Sequence, residues 1–133
     1  MKSDGSIRSY WDDVFAKAPL ADPTVPLPAP EIENGLVWVS EKGGRVLDFG
    51  CGSGRLPLRC LALGAERDDG IDLCGRAIDA ARAAAIRAGF DERARFTAER
   101  VAAMAAFSDA VDTGVILSNF LDNLWPEEAH SVL

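Results

Sequence analysis

The chain has 133 residues, of which 48% are hydrophobic and 26% are charged, so it has the size and composition of one globular domain. Its 14 lysines and arginines against 21 acidic residues give a formal net charge of -7, which disfavours a polyanionic partner such as nucleic acid. Because no apolar stretch approaches the ~20 residues that cross a bilayer, and the polar amino terminus lacks a signal-peptide core, we expect no membrane association and no export.

Three cysteines, Cys51, Cys60 and Cys74, form no CxxC pair. An odd number without that pairing argues against a disulfide framework and against a zinc site. The sequence therefore predicts free thiols in a reducing, cytoplasmic setting.

The first 44 residues are predicted to form an N-terminal region of helices and a connector. "SIRSYWDDVFAKA" has the apolar spacing of a short amphipathic helix that includes Tyr10 and Trp11. Residues 19–30 hold five of the seven prolines and predict an extended connector. "EIENGLVWVSEKGG" predicts a helix, despite Gly35, that is closed by Gly43 and Gly44.

From Arg45 onward, short apolar runs alternate with helical patterns. The predicted strands are "RVLDFG", "DDGIDL", "ARFTA" and "DTGVILSN", and the predicted helices are "GRLPLRCLALG", "GRAIDAARAAAIRAG", "ERVAAMAAF" and the beginning of one at "PEEAHSVL". Strict alternation predicts an α/β fold with a parallel sheet and helices on both faces.

A glycine-rich loop, "DFGCGSG", follows the first predicted strand. In parallel sheets, ligands bind at the carboxyl ends of the strands, and Gly50, Gly52 and Gly54 would let a ligand lie against the backbone. The dinucleotide fingerprint would need a glycine where this chain has Arg55. The carboxylate of Asp48 disfavours a phosphate at the loop and favours a cation, such as the amino group of an amino acid.

These motifs resemble those of the class I S-adenosylmethionine-dependent methyltransferases, from "VLDFGCGSG" through "GIDLCGRAIDAAR" to the carboxyl end. The resemblance implies a Rossmann-like sheet in the order 3-2-1-4 over residues 45–133, with the remaining strands missing from this chain. It implies that residues 1–44 act as a cofactor lid, in which Tyr10 and Trp11 either lie over S-adenosylmethionine or are plain core anchors. The implied cofactor-binding residues are Asp48 at the methionine amino group, directly or through water, Gly50, Cys51, Gly52 and Gly54 as the floor, Asp72 at the ribose hydroxyls, Leu73 and Glu99 at the adenine, and Ser118, Asn119 and Phe120 beside the sulfonium.

Other interpretations of these residues stay open. Asp72 could be a helix cap, and Glu99 could be a solvated carboxylate at a helix start. Cys51 fits a small residue in a tight loop better than a nucleophile, because no histidine lies near it in the sequence. Cys74 stands where the family often has a capping serine, and a thiol caps a helix poorly. His130, the single histidine, is expected at the surface, and no catalytic residue is assigned.

The resemblance implies a methyltransferase that converts S-adenosylmethionine to S-adenosylhomocysteine and acts on a small molecule or on a protein side chain. "SNFL" lacks the motif of amino-directed nucleic-acid methyltransferases. Two alternatives are a non-catalytic cofactor-binding module and a nucleotide-binding oxidoreductase with a degenerate fingerprint. Since Leu133 lies within the fourth predicted helix, we expect a gene that continues further and self-association of this chain through the edge of its fourth strand.

Overall fold

A computed structural model describes residues 19–99 and 114–117, together with five isolated positions, 5, 6, 9, 10 and 13. Most of the predicted amino-terminal helix lies outside the described residues. So do the predicted helices at "ERVAAMAAF" and "PEEAHSVL". No helix in the part described is long and apolar enough to span a membrane.

The described elements follow the predicted alternation of helix and strand. They are α1 (Pro30–Ser40), β1 (Arg45–Phe49), α2 (Arg55–Ala62), β2 (Arg67–Asp72), α3 (Gly75–Ala88), β3 (Ala94–Ala98) and β4 (Gly114–Ile116). All three strand pairings are parallel, and the order in the sheet is β3-β2-β1-β4. The predicted α/β class and strand order are therefore confirmed.

Local chemistry explains where the helices begin and end. Pro30 opens α1, where the missing N–H of proline is not needed. Pro57 lies in the first turn of α2 for the same reason. Gly89 ends α3 in the left-handed conformation, with φ of 77°. Cys74 precedes α3 without a side-chain cap, as the sequence predicted for a thiol.

The three described helices pack on one face of the sheet. Leu36 of α1, Leu58 of α2 and Ile78 of α3 belong to one buried cluster with Val46 of β1 and Phe96 of β3. A second cluster on the opposite face contains Leu47, Phe49 and Ile71 with Leu117 packed against it. Helices were predicted on both faces, and the helices among the described residues lie on one of them.

The connector of residues 19–29 is bound to the helices by arginine side chains. Arg59 of α2 donates to the carboxylate of Glu33 at 2.6 Å and to the carbonyl of Pro23 at 3.0 Å. The same carboxylate accepts the N–H of Leu27 at 3.0 Å. Arg87 of α3 donates to the carbonyl of Ala21 at 2.9 Å. The connector therefore runs over α2 and α3 as an ordered segment.

Candidate functional site

The glycine loop lies at the carboxyl end of β1, between β1 and the start of α2. Gly50, Gly52 and Gly54 have φ angles of 77°, 56° and 82°, a region that side chains other than glycine rarely adopt. The N–H groups of Gly50 and Cys51 both donate to the carbonyl of Ile71, at 2.7 and 3.1 Å. The backbone of the loop is thus fixed to the end of β2.

Asp72, the last residue of β2, binds the loop from the other side. One carboxylate oxygen accepts the N–H of Gly52 at 2.8 Å, and the other accepts the N–H of Cys74 at 2.8 Å. Burial raises the pKa of Asp72, and the N–H groups of Cys74, Gly52 and Leu73 lower it. The side chain thus makes the helix-start contact that the sequence left open. Each carboxylate oxygen keeps a second lone pair, which leaves capacity for a ligand hydroxyl.

Asp48 in β1 is the second acidic residue at the loop. Its side chain is buried, with 1% of the residue exposed, and within the described part of the chain its Oδ1 has no hydrogen-bond partner. Burial raises the pKa of Asp48 well above its usual value, and the nearby carboxylate of Asp72 raises it further. A buried carboxyl oxygen without a hydrogen-bond partner is costly to keep, and a polar or cationic ligand at the loop would supply a partner.

The predicted strand "DDGIDL" contains two buried acids, Asp68 and Asp69, for which no role was predicted. Asp69 forms ion pairs with Arg45 and with Arg95, the second at 3.0 Å. Asp68 has no hydrogen-bond partner for either oxygen within the described residues, and its pKa is raised to about 9, first by burial and then by Asp48. The sequence does contain a signal for these residues. Two adjacent acids in a strand that is predicted to be covered on both faces would both be buried, and buried charges need partners.

Cys51 and Gly54 of the loop face the protein interior. Burial, followed by the charges of Asp48 and Asp72, raises the pKa of the Cys51 thiol well above its usual value, which disfavours a nucleophilic thiolate. A Cβ atom on Gly54 would lie 3.0 Å from the Cβ of Ala81 and 3.1 Å from Phe96. Gly54 therefore lets the start of α2 approach α3 and β3 closely.

Of the remaining predicted site residues, some lie among the described residues and others lie outside them. Leu73 is partly exposed just after Asp72, and Glu99 is exposed after β3, with its N–H donating to the carbonyl of Asp72 at 3.0 Å. Tyr10 is 61% exposed, and its place in a lid stays a prediction. Trp11, Ser118, Asn119 and Phe120 lie outside the described residues.

A cavity of about 570 Å³ lies at the other end of β2, where Ala65, Arg67 and Arg93 contribute to its lining. It contains none of the predicted site residues. Within the described residues no group of three or more histidine, cysteine or acidic side chains is arranged to hold a metal ion.

The profile of a methyltransferase domain family matches residues 46–133, which include the loop, both acidic strand ends and β4. The chain belongs to this methyltransferase family. The predicted resemblance to S-adenosylmethionine-dependent enzymes is therefore confirmed, and S-adenosylmethionine is the cofactor of the family.

Relatives and solved structures agree with this assignment. A ribosomal protein L11 methyltransferase of Azotobacter vinelandii is 41% identical over 100 residues, which are 73% of this chain and 34% of that protein. A methyltransferase of Geobacter sulfurreducens, crystallised with S-adenosylhomocysteine, is 25% identical over 71% of this chain and 36% of its own, with a TM-score of 0.52. An O-methyltransferase family protein of Burkholderia thailandensis shares the fold over 97% of this chain and 36% of its own, at 20% identity and a TM-score of 0.66. The methyltransferase chain thus spans about a third of the length of these proteins.

The residues present fit S-adenosylmethionine. The buried, unpaired Oδ1 of Asp48 suits an amino group, and the partly exposed carboxylate of Asp72 suits the two hydroxyls of a ribose. The positive φ angles at positions 50 and 52 favour glycine, and because glycine has no side chain, the space between these acids stays clear of side chains from both positions. A phosphate would meet carboxylates on both sides of the loop, which disfavours a dinucleotide.

Proposed function

We propose that this chain is the cofactor-binding part of an S-adenosylmethionine-dependent methyltransferase. One observation carries the proposal: Asp48 and Asp72 flank a loop whose three glycines have positive φ angles, at the carboxyl ends of adjacent parallel strands. Because the chain spans about a third of the curated relative's length, the catalytic activity of the whole protein is part of the proposal.

Each side chain has a role in this proposal that follows from its chemistry. Asp72 accepts hydrogen bonds from the ribose hydroxyls, and Asp48 holds the amino group of the methionine part. Gly50 and Gly52 form the floor of the site. The other proposed contacts keep their predicted roles: Cys51 and Gly54 in the floor, Leu73 and Glu99 at the adenine, and Ser118 and Asn119 beside the sulfonium.

When bound, S-adenosylmethionine supplies a methyl group activated by a sulfonium. The chain's own contribution is to orient the ligand and to exclude water, which a direct displacement needs more than acid-base catalysis. The hydrogen bonds from Gly50 and Cys51 to Ile71 and from Gly52 to Asp72 hold the floor in one conformation. This preorganisation reduces the ordering cost of binding.

The methyl acceptor that we propose first is a small molecule, because nothing in the acidic chain favours a nucleic acid. A protein side chain is the second candidate, and the relatives named as ribosomal protein L11 methyltransferases support it. The formal net charge of -7 would attract a basic protein. Cys51, Cys60 and Cys74 are buried and form no disulfide, which supports a cytoplasmic location as part of the same proposal.

Calorimetry of the chain with S-adenosylhomocysteine tests the proposal, with a reduced nicotinamide dinucleotide as the competing ligand. We expect binding of the first ligand and not of the second. The reverse result would establish the oxidoreductase alternative, and no binding of either would leave a scaffold without a cofactor.

Asp72→Ala gives a residue-level test of the same site. Loss of charge-assisted hydrogen bonds to the ribose should weaken S-adenosylhomocysteine by about 1.5–3 kcal/mol. Asp79→Ala is the control, because Asp79 lies on α3 with 80% of its side chain exposed. Since Asp72 also binds the N–H of Gly52, thermal melting must first show that the variant is folded. Unchanged affinity in a folded variant would refute the role of Asp72.

A further inference from the structure

Three acidic side chains lie on the sheet face that the described helices cover. Side chains alternate between the faces of a strand, so Asp68, Gly70 and Asp72 of β2 share one face. The parallel register aligns Asp48 of β1 with Gly70, which places Asp48 on that face between the two acids of β2. Gly70 has no side chain, and the space that a Cβ atom would take there is occupied by the ring of Phe96 and the Sγ of Cys51, at 2.6 and 2.9 Å.

Among the described residues, the titratable groups that interact electrostatically with Asp48 are acids and thiols. Asp72 acts on the pKa of Asp48 directly, and Asp48 in turn raises the pKa values of Asp68 in β2, Cys51 in the loop and Cys60 in α2. From the other side of β1, the register aligns Asp48 with Ile116 of β4, which carries no charge. In the stretches 19–99 and 114–117, Asp48 forms no ion pair.

This environment favours the uncharged form of the Asp48 carboxyl while no ligand is bound. Burial raises the pKa of Asp48 well above its usual value, and the unpaired Oδ1 receives no hydrogen bond that would stabilise a negative charge. Within the described ranges no positive charge pairs with this carboxyl, and a ligand ammonium would supply one. Opposite charges a few ångströms apart in a buried site attract strongly enough to reverse the preference for the neutral form.

We propose that the amino group of a ligand bound at the glycine loop displaces the proton of the Asp48 carboxyl, so that binding releases about one proton to the solvent. The O–H bond of the carboxylic acid breaks, the proton passes to buffer, and the ammonium keeps its three hydrogens and pairs with the carboxylate. The inference rests on the proposed function, because it takes S-adenosylmethionine or its product as the ligand that carries this amino group.

Proton release makes affinity depend on pH. Where Asp48 is protonated in the free protein and ionised in the complex, the dissociation constant falls as pH rises, by up to about tenfold per pH unit. A ligand with the same adenosine part but no amino-acid part, such as 5′-methylthioadenosine, would leave Asp48 protonated. Its affinity should not gain from the ionisation of Asp48 between pH 6 and pH 8.

Calorimetry of the full chain at pH 7, in phosphate and in Tris, measures the number of protons released. These buffers differ strongly in their heats of ionisation, so released protons change the observed binding heat. We expect about one proton for S-adenosylhomocysteine and none for 5′-methylthioadenosine. Asp48→Asn should abolish the release, whereas Asp68→Asn, which replaces the other unpaired acid outside the loop, should retain it.

Each outcome decides a separate point. S-adenosylhomocysteine that binds with equal heat in both buffers overturns the inference and leaves the proposed function intact. If S-adenosylhomocysteine neither gives binding heat nor shifts the melting temperature of the chain, both the inference and the proposed function are overturned. Release that persists in a folded Asp48→Asn variant also overturns the inference, because another group would then supply the proton. If that variant does not fold, the two ligands on the unmodified chain still decide the question.

Discussion

At the scale of single residues, Asp68 and Asp69 show that a shift of one position along a strand changes how a buried carboxylate affects stability. Both are buried, with 1% and 4% of each residue exposed. Asp69 points to the face where Arg45 and Arg95 pair with it, and Asp68 points to the opposite face, beneath the helices. A buried charge is tolerated only with partners, so the first acid stabilises the fold and the second destabilises it when ionised.

Replacing Asp68 should stabilise the protein, most strongly at high pH. The pKa of Asp68 is raised to about 9 in the folded chain, from an ordinary value of 3.8. Between about pH 4 and about pH 9, Asp68 is ionised in the unfolded chain and protonated in the folded chain. The free energy of unfolding therefore falls by up to about 1.4 kcal/mol for each pH unit in this range. Asp68→Asn removes this slope and should add about 1–4 kcal/mol at pH 7. Urea unfolding at pH 5, 7 and 8 measures the difference, which should widen with pH.

The neighbouring substitution Asp69→Asn provides the matched contrast. It removes the charge that pairs with Arg45 and Arg95, so the free energy of unfolding should fall by about 1–3 kcal/mol. The same urea series applies. Effects of equal sign for the two substitutions would show that burial alone, rather than pairing, controls the energetics of this strand.

At the scale of elements, glycines serve opposite purposes in α1 and at the start of α2. Gly35 lies inside α1, and a Cβ atom there would meet nothing within 4 Å. Gly54 precedes α2 with φ of 82°, and a Cβ atom there would press on Ala81 and Phe96. The first glycine weakens its helix, whereas the second permits the close packing of α2, α3 and β3.

Alanine at these two glycines should therefore change stability in opposite directions. Gly35→Ala should raise the free energy of unfolding by about 0.5–1 kcal/mol, because alanine loses less backbone entropy in a helix. Gly54→Ala should lower it by at least 1–2 kcal/mol through backbone strain and overpacking. Denaturant unfolding of both variants measures these changes. A destabilising Gly35→Ala would show that the exposed face of α1 is more crowded than the structure indicates.

Elements were predictable from the sequence where local signals agree. Gly89 predicted the end of α3, and the alternation of patterns predicted the parallel sheet, whereas α1 ends at Ser40, before the Gly43 and Gly44 that were predicted to close it. The neighbours of Asp48 and Asp68 were not predictable, because strand register brings together residues about twenty positions apart in the sequence. The binding of Gly52 by Asp72 depends on the same register, so only the presence of an acid at the end of β2 could be read in advance.

At the scale of the whole molecule, the feature of interest is β4, the strand at one edge of the described sheet. It pairs with β1 on one side, and among the described residues no strand pairs with its other edge. Val115 at this edge is 54% exposed. Unpaired N–H and C=O groups beside an apolar side chain favour pairing with another strand.

We propose that the 133-residue chain self-associates through the edge of β4. Sedimentation over a concentration series should show a shift from monomer to larger species, and Val115→Lys should oppose it, because edge lysines block strand pairing. Thermal melting of the same samples should show a stability that rises with concentration. A chain that stays monomeric throughout, with a cooperative melt at high temperature, would contradict the proposal.

The arginine contacts of the connector also predict the stage of folding at which the connector packs on the helices. The carbonyls of Leu20 and Ala21 accept hydrogen bonds from Arg87, which lies 67 and 66 residues later in the chain. These contacts cannot form until α3 has been synthesised and has folded, and closing so long a loop is slow. We therefore expect the connector to dock late. Substitutions of Arg87 should speed unfolding while leaving the folding rate nearly unchanged.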